Sequence, residues 1–235
     1  MSSLPVPRLL ILETSGRPAH VALAHGENIV GVRRLDESRR HARDLAPAAA
    51  SLLAEQGWKP RDVQGVIISR GPGSYTGLRV GIMSAKAFAY ATGCAVIAVD
   101  TFAAIASQAP GQATRVAVLA DAQQGKVYVQ EFARGAGADP WLAVCPLTIR
   151  RFSEWLASVD AAVWLSGPGL VVHSDLGPAV RQVVQRADWD PWPESLLHLG
   201  LARYLAGERD DPAALEPLYL RPSSAEEKWD QRASR

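Results

Sequence analysis

The stretch Arg70-Gly71-Pro72-Gly73-Ser74-Tyr75-Thr76-Gly77-Leu78-Arg79-Val80-Gly81 constrains the fold most, because it joins a β-branched run to an almost wholly apolar helix. Upstream, Val63-Gln64-Gly65-Val66-Ile67-Ile68-Ser69 reads as a strand of a sheet covered on both faces. Downstream, residues 75–92 read as a helix of roughly five turns. Gly71 and Gly73 admit backbone angles closed to other residues, and Ser74 is a favourable N-cap. Such a turn can hold an anion with its free N–H groups and the helix dipole, or it can simply end a strand and start a helix. The spacing favours the second use. A Walker A loop needs Gly, four residues, then Gly-Lys-Ser/Thr, and no lysine occupies that place. Gly71, Gly73 and Gly77 miss the dinucleotide fingerprint by one residue.

Within the helix, Gly77, Gly81, Ala85 and Ala89 recur every four residues and form a ridge of the smallest side chains. The ridge serves either a closely approaching second helix or burial against the chain's own sheet. Two glycines in a helix cost roughly 1 kcal/mol each against alanine, so they require a packing reason. A different stripe, Arg79, Met83, Lys86 and Tyr90, mixes charged and apolar groups and suits a protein interface better than a core.

Around this unit, Leu9–Leu12, Ala19–Ala24 and Ile29–Arg34 read as a three-stranded meander. A helix follows over about 39–56, with Leu45, Ala49 and Leu52 on one side, and Pro47 either kinks it or marks its start. Strand Ala95–Val99 and a helix after Asp100-Thr101 complete a βββαβαβα order, expected of an α/β layer fold with a mixed sheet. The pattern restarts at Val116–Asp121, with Lys126–Phe132 returning, so Glu13 and Asp121 become equivalent strand-end carboxylates facing a cleft. The second copy is looser: Trp141–Pro146, a helix near Ile149–Ala157, strand Ala162–Leu165, helix Glu194–Leu205 and the run Leu215–Leu220. The expected organisation is an N-terminal lobe over 1–104, completed by a helix from about 194–206, a smaller lobe over 105–221, and a flexible tail over 222–235. Trp229 in that tail reads as an anchor on another protein.

Composition narrows the function. A chain of 235 residues with 48% hydrophobic content can bury a core or two. A net charge of +1 argues against a large nucleic-acid footprint, since phosphate contacts need clustered Lys and Arg. Cys94 and Cys145 form no Cys-x-x-Cys pair and read as buried free thiols. No leader and no run long enough to span a bilayer is apparent, which makes the cytoplasm the expected location.

Leu12-Glu13-Thr14-Ser15, the Gly-Pro-Gly-Ser-Tyr-Thr-Gly-Leu-Arg stretch, Asp121-Ala122-Gln123-Gln124-Gly125-Lys126-Val127-Tyr128 and Pro217-Leu218-Tyr219-Leu220-Arg221, in this order, resemble the TsaB family, also called YeaZ. The resemblance implies an actin-like, Hsp70-like (ASKHA) fold of two RNase-H-like lobes with mixed β-sheets flanked by helices. It also implies a non-catalytic role in threonylcarbamoylation of the adenosine beside the anticodon of tRNA. The chemistry then belongs to a TsaD-like transferase, with a TsaE-like ATPase binding the pair and TsaC making the adenylate. The first two long helices would pair with TsaD, or with a second copy when the chain is alone, and tRNA would be met only through the complex. The expected partner-binding residues are Leu45, Ala49, Leu52, Tyr75, Arg79, Met83, Lys86 and Tyr90.

The residues add their own argument. TsaD-type enzymes carry two metal-binding histidines at the positions of Thr101 and Ile105, and neither side chain replaces imidazole, so no metal, cofactor or catalytic residue is expected. Glu13, Thr14, Ser15, Gly71, Gly73, Ser74 and Asp121 would line a vestigial nucleotide cleft. The family usually has Asp where this chain has Glu13. Two alternatives stand beside this reading: an active actin-like ATPase or kinase, with Glu13, Asp121, the glycine loop and Gly167-Pro168-Gly169 lining a cleft, and a peptidase using Ser74 with His41.

Overall fold

The computed structural model describes residues 6–35, 41–135, 140–177 and 182–220. Its first sheet contains β1 (Arg8–Glu13), β2 (His20–His25), β3 (Asn28–Arg34), β4 (Gly65–Gly71) and β5 (Ala95–Asp100) in the order β3-β2-β1-β4-β5. The first three strands run antiparallel as the meander, and β4 and β5 continue parallel to β1. Alternation decides the two faces. Leu10, Leu12, Val66 and Ile68 point toward α1 (His41–Glu55) and α2 (Tyr75–Thr92), while Leu9, Ile11, Ile67 and Ile97 pack on α5 (Pro193–Leu205) and the end of the sheet nearest α3 (Thr101–Ser107). Helix α5 thus completes the first layer although it comes last in sequence.

The second sheet holds β6 (Arg115–Asp121), β7 (Lys126–Ala133), β8 (Leu142–Ala143), β9 (Thr148–Arg151) and β10 (Trp164–Ser166), with order β10-β6-β7-β8 and β9 also on β7. It repeats the first at lower size. In both sheets the leading strand pairs antiparallel with the next strand and parallel with a later one. Gly71-Pro72-Gly73 follows β4, and Gly167-Pro168-Gly169 follows β10. A side chain at Gly73 would overlap the Ser15 backbone beyond β1, and one at Gly167 the Leu119 backbone of β6. The two glycine turns serve the same packing at the same place in each sheet.

Several sequence expectations shift. Pro47 lies inside α1 rather than at its start, and its exposed position leaves the carbonyl of the preceding turn open to water. The helix expected near 149–157 begins at Phe152 as α4 (Phe152–Ser158), because Thr148–Arg151 are drawn onto β7, with Ile149 opposite Tyr128. The strand expected over 162–165 begins at Trp164, since Asp160 caps a turn through the N–H groups of Ala162 and Val163. The run Leu215–Leu220 is irregular, and Leu218 N–H donates to the Arg70 carbonyl at 2.8 Å. Cys94 and Cys145 are free and half-buried rather than fully buried. Among the described residues no helix is long and apolar enough to cross a membrane. The tail with Trp229 lies outside the described residues.

The small-residue ridge of α2 is spent internally. Gly77, Gly81, Ala85 and Ala89 are all buried. A methyl group at Gly77 would overlap the Thr14 carbonyl, and one at Gly81 the Thr14 hydroxyl. The glycines therefore let the turn after β1 press directly on the helix, which is the packing reason their conformational cost required.

Candidate functional site

Two surfaces are built around α2: a cleft at its N-terminus and an outward face along its length. The cleft, of about 1110 Å³, opens between the turns that follow β1 and β6 and is walled by Arg186, Ala187, Trp189–Trp192 and Tyr219. Of the residues expected there, Ser15, Gly73, Ser74 and Asp121 line it, whereas Glu13, Thr14 and Gly71 are buried behind its wall.

Glu13 is fully buried. Its Oε1 accepts hydrogen bonds from Ser15 Oγ at 2.5 Å, Ser15 N at 2.6 Å and Gly16 N at 3.2 Å, and its Oε2 accepts none among the described residues. Burial raises the carboxyl from 4.5 to about 7, against the opposing pull of the Ser15 and Ser69 hydroxyls and the two backbone amides. Directly across the β1–β2 ladder stands His20, 3% exposed, with neither ring nitrogen partnered among the described residues. Burial first, and the Arg34 charge second, lower its pKa from 6.5 to about 4. At neutral pH a neutral imidazole, 5.5 Å from the Trp192 ring, thus forms part of the cleft wall.

The glycine turn is engaged with the protein itself. Ser74 N–H donates to the Ser15 carbonyl at 2.7 Å, and Ser74 Oγ accepts from Gly77 N at 3.2 Å as the N-cap of α2. Gly71, at φ +113°, donates to Thr101 Oγ1 at 3.2 Å. Thr101 and Ile105, the two positions where the sequence was expected to lack an imidazole pair, are buried in packing. Asp121 Oδ1 accepts from Gln123 N at 2.9 Å and lies 3.5 Å from His173 Nε2. Among the described residues no cluster of three or more His, Cys, Asp or Glu could hold a metal. The side chain of His41, Ser74's partner in the peptidase alternative, lies outside the described residues.

On the helical face, the eight residues expected to meet a partner separate into two groups. Leu45, Ala49 and Leu52, 1%, 9% and 0% exposed, are part of the chain's own core and cannot form an outer surface. The apolar stripe of α1 is consumed by its sheet, and the helix turns Ala46, Ala50 and Ala54 to solvent instead. On α2, Met83 and Tyr90 are 62% and 95% exposed, and Arg79 is exposed beside them. Lys86 and Tyr75 are half-buried. Lys86 Nζ reaches the Ala213 carbonyl at 3.5 Å, and Tyr75 stacks on Tyr219 with centroids 4.8 Å apart. The Arg79 guanidinium sits 4.3 Å above the Tyr75 ring, linking the outward face to the cleft mouth.

This architecture matches known proteins over nearly its whole length. The tRNA threonylcarbamoyladenosine biosynthesis protein TsaB of Bacillus subtilis (strain 168) is 26% identical over 228 residues, covering 94% of this chain and 97% of that protein. The protein of the same description from Escherichia coli (strain K12) is 27% identical over 226 residues, covering 93% and 96%. The solved structure of YeaZ from Pseudomonas aeruginosa superposes with a TM-score of 0.75 at 27% identity, covering 91% of this chain and all of that one. A family model described as TsaD, tRNA N6-adenosine threonylcarbamoyltransferase, matches residues 19–145, more than half of the chain. The chain belongs to this family, in its TsaB (YeaZ) branch. Its fold is accordingly the actin-like α/β fold, two mixed sheets each flanked by helices.

Sequence reasoning missed His20, Arg34, Tyr128, Trp189 and Trp192 in the cleft. One of these was accessible: pairing the two arms of the first hairpin places His20 opposite Glu13. Trp189 and Trp192 arrive from a segment without regular periodicity, 185–192, and carried no comparable signal.

Proposed function

We propose that this chain is a non-catalytic subunit needed for threonylcarbamoyladenosine modification of tRNA beside the anticodon. In this reading it binds and supports a TsaD-like transferase, with a TsaE-like ATPase joining the pair, and meets tRNA only through the complex. The observation that carries the reading is the end-to-end match to proteins described as TsaB biosynthesis proteins. The residues agree with it: the glycine turn is committed to capping and packing, and Thr101 and Ile105 offer no imidazole.

The partner surface we propose is the outward side of α1 and α2: Ala46, Ala50 and Ala54 beside Arg79, Met83 and Tyr90. Exposed Met83, Tyr90 and Arg79 are residue types enriched at interface centres, and the small alanines of α1 leave a partner room to reach them. Two neighbouring helices can meet a matching pair as a four-helix bundle, and a second copy of the chain can use the same face when no transferase is present. The test is tRNA modification in a reconstituted mixture of TsaC, TsaD and TsaE from the same source, with and without this chain. Modification that requires the chain supports the reading, and modification that proceeds equally without it rejects the role.

A further inference from the structure

After α5 the chain returns over residues 208–220 from the edge of the first sheet to the N-terminus of α2, anchored along the way. Asp210 N–H donates to the Val96 carbonyl at 2.9 Å and Asp210 Oδ2 accepts from Ala98 N at 2.7 Å, so one residue covers the outer edge of β5. Arg203 of α5 holds the same place, donating to the Ala98 carbonyl and lying 3.3 Å from Asp210 Oδ2. Leu215 is buried in the core that also contains Ile82 and Ala85 of α2. Leu218 N–H donates to the Arg70 carbonyl, and a side chain at Gly71 would meet the Leu218 carbonyl, so the glycine turn leaves this segment room to pass.

The segment ends against the charged side chains of α2. The Ala213 carbonyl accepts from Lys86 Nζ at 3.5 Å. Tyr219 stacks on Tyr75 and donates its hydroxyl to the Tyr75 carbonyl at 3.3 Å. The Arg79 guanidinium lies over both rings, 4.3 Å from the centre of Tyr75 and 5.9 Å from that of Tyr219. An exposed arginine has rotamer freedom that a partner must freeze, and one already stacked on aromatic rings loses less of it on binding. We propose that segment 208–220 preorganises the partner face, with Tyr219 as a positioning residue that holds Arg79 for the transferase while itself lining the cleft. This inference rests on the partner face proposed above.

Affinity for the TsaD-like transferase is measured by titration calorimetry with the full chain as wild type, Tyr219→Ala, Tyr219→Phe, Arg79→Ala, Arg79→Ala/Tyr219→Ala and Met83→Asp. Tyr219→Ala is expected to stay folded by circular dichroism and to bind about tenfold more weakly, while Tyr219→Phe, which keeps both rings, binds as wild type. In the double variant the loss of Tyr219 is expected to add nothing to the loss from Arg79→Ala, because Tyr219 acts through that side chain. Wild-type affinity in Tyr219→Ala or in Arg79→Ala would overturn the inference. Additive losses would overturn it too, since a direct contact with the partner or a merely structural role weakens binding with or without Arg79. So would a Tyr219→Phe variant as weak as Tyr219→Ala, which would move the effect from the ring to the hydroxyl. Met83→Asp separates this inference from the reading beneath it. A weakened Met83→Asp beside an unchanged Tyr219→Ala leaves the face standing without its positioning residue, whereas wild-type affinity in Met83→Asp removes the face and the inference together.

Discussion

Replacing Glu13 by glutamine tests the buried pair that faces it across the first hairpin. Glu13 is raised from 4.5 to about 7 and His20 is lowered from 6.5 to about 4, so the folded state holds both groups neutral. For Glu13 the raised value means that its contribution is fully present below pH 4.5 and is lost as pH rises through about 7. For His20 the lowered value means the opposite: its contribution is present above pH 6.5 and is lost as pH falls through about 4. Between pH 4.5 and 6.5 the unfolded chain carries one proton less on Glu13 and one more on His20, and the two slopes cancel. Over these two pH units each slope integrates to at most roughly 3 kcal/mol, at about 1.4 kcal/mol per proton and pH unit. Urea denaturation at four pH values from 4.5 to 7.5 measures this as the stability difference from wild type. In Glu13→Gln, the uncompensated His20 slope makes the variant lose stability relative to wild type as pH falls from 6.5 to 4.5. In His20→Gln, the Glu13 slope makes the variant lose stability relative to wild type as pH rises over the same interval. A difference that stays constant with pH in both variants would refute the assignment of two neutral groups.

Three further outcomes follow from the packing. Gly77→Ala, whose methyl group would meet the Thr14 carbonyl, is expected to destabilise by about 1–3 kcal/mol, and a urea midpoint equal to wild type would contradict it. Leu52→Asp places a charge in the core beneath α1 and is expected to unfold the chain, whereas Met83→Asp changes stability by about 0.5 kcal/mol or less; circular dichroism and urea titration separate them. Tyr219→Ala removes the stack on Tyr75 and is expected to cost about 1 kcal/mol and to speed hydrogen exchange in residues 70–76, and unchanged exchange there would dissociate the C-terminal segment from the loop.

The strand–turn–helix unit around Gly71 was legible in the sequence because three local signals coincide there: a β-branched run, glycines where a side chain would collide, and Ser74 as a cap. The doubling of the fold was legible through Glu13 and Asp121 at matching strand ends, although their environments proved opposite, one buried and one exposed. The α1 stripe misled because periodicity shows which residues are apolar and not which neighbour covers them. Leu45 and Leu52 are the residues a sheet needs first, and only the less apolar face of the same helix remains for another protein. Met83 and Tyr90 were readable as a surface because they lie off the buried Gly77–Ala89 ridge of the same helix. Residues 148–151 escaped because four residues are too few to show a period, and their strand conformation is imposed by β7.

The most direct test of the account is the affinity of the TsaD-like transferase for this chain, measured by titration calorimetry with wild type and with the Met83→Asp/Tyr90→Asp double variant. The account predicts a folded double variant with stability near wild type and an affinity at least about 100-fold weaker, as expected when two exposed anchors are lost from an interface centre. An unchanged affinity would contradict it and place the partner surface elsewhere on the molecule.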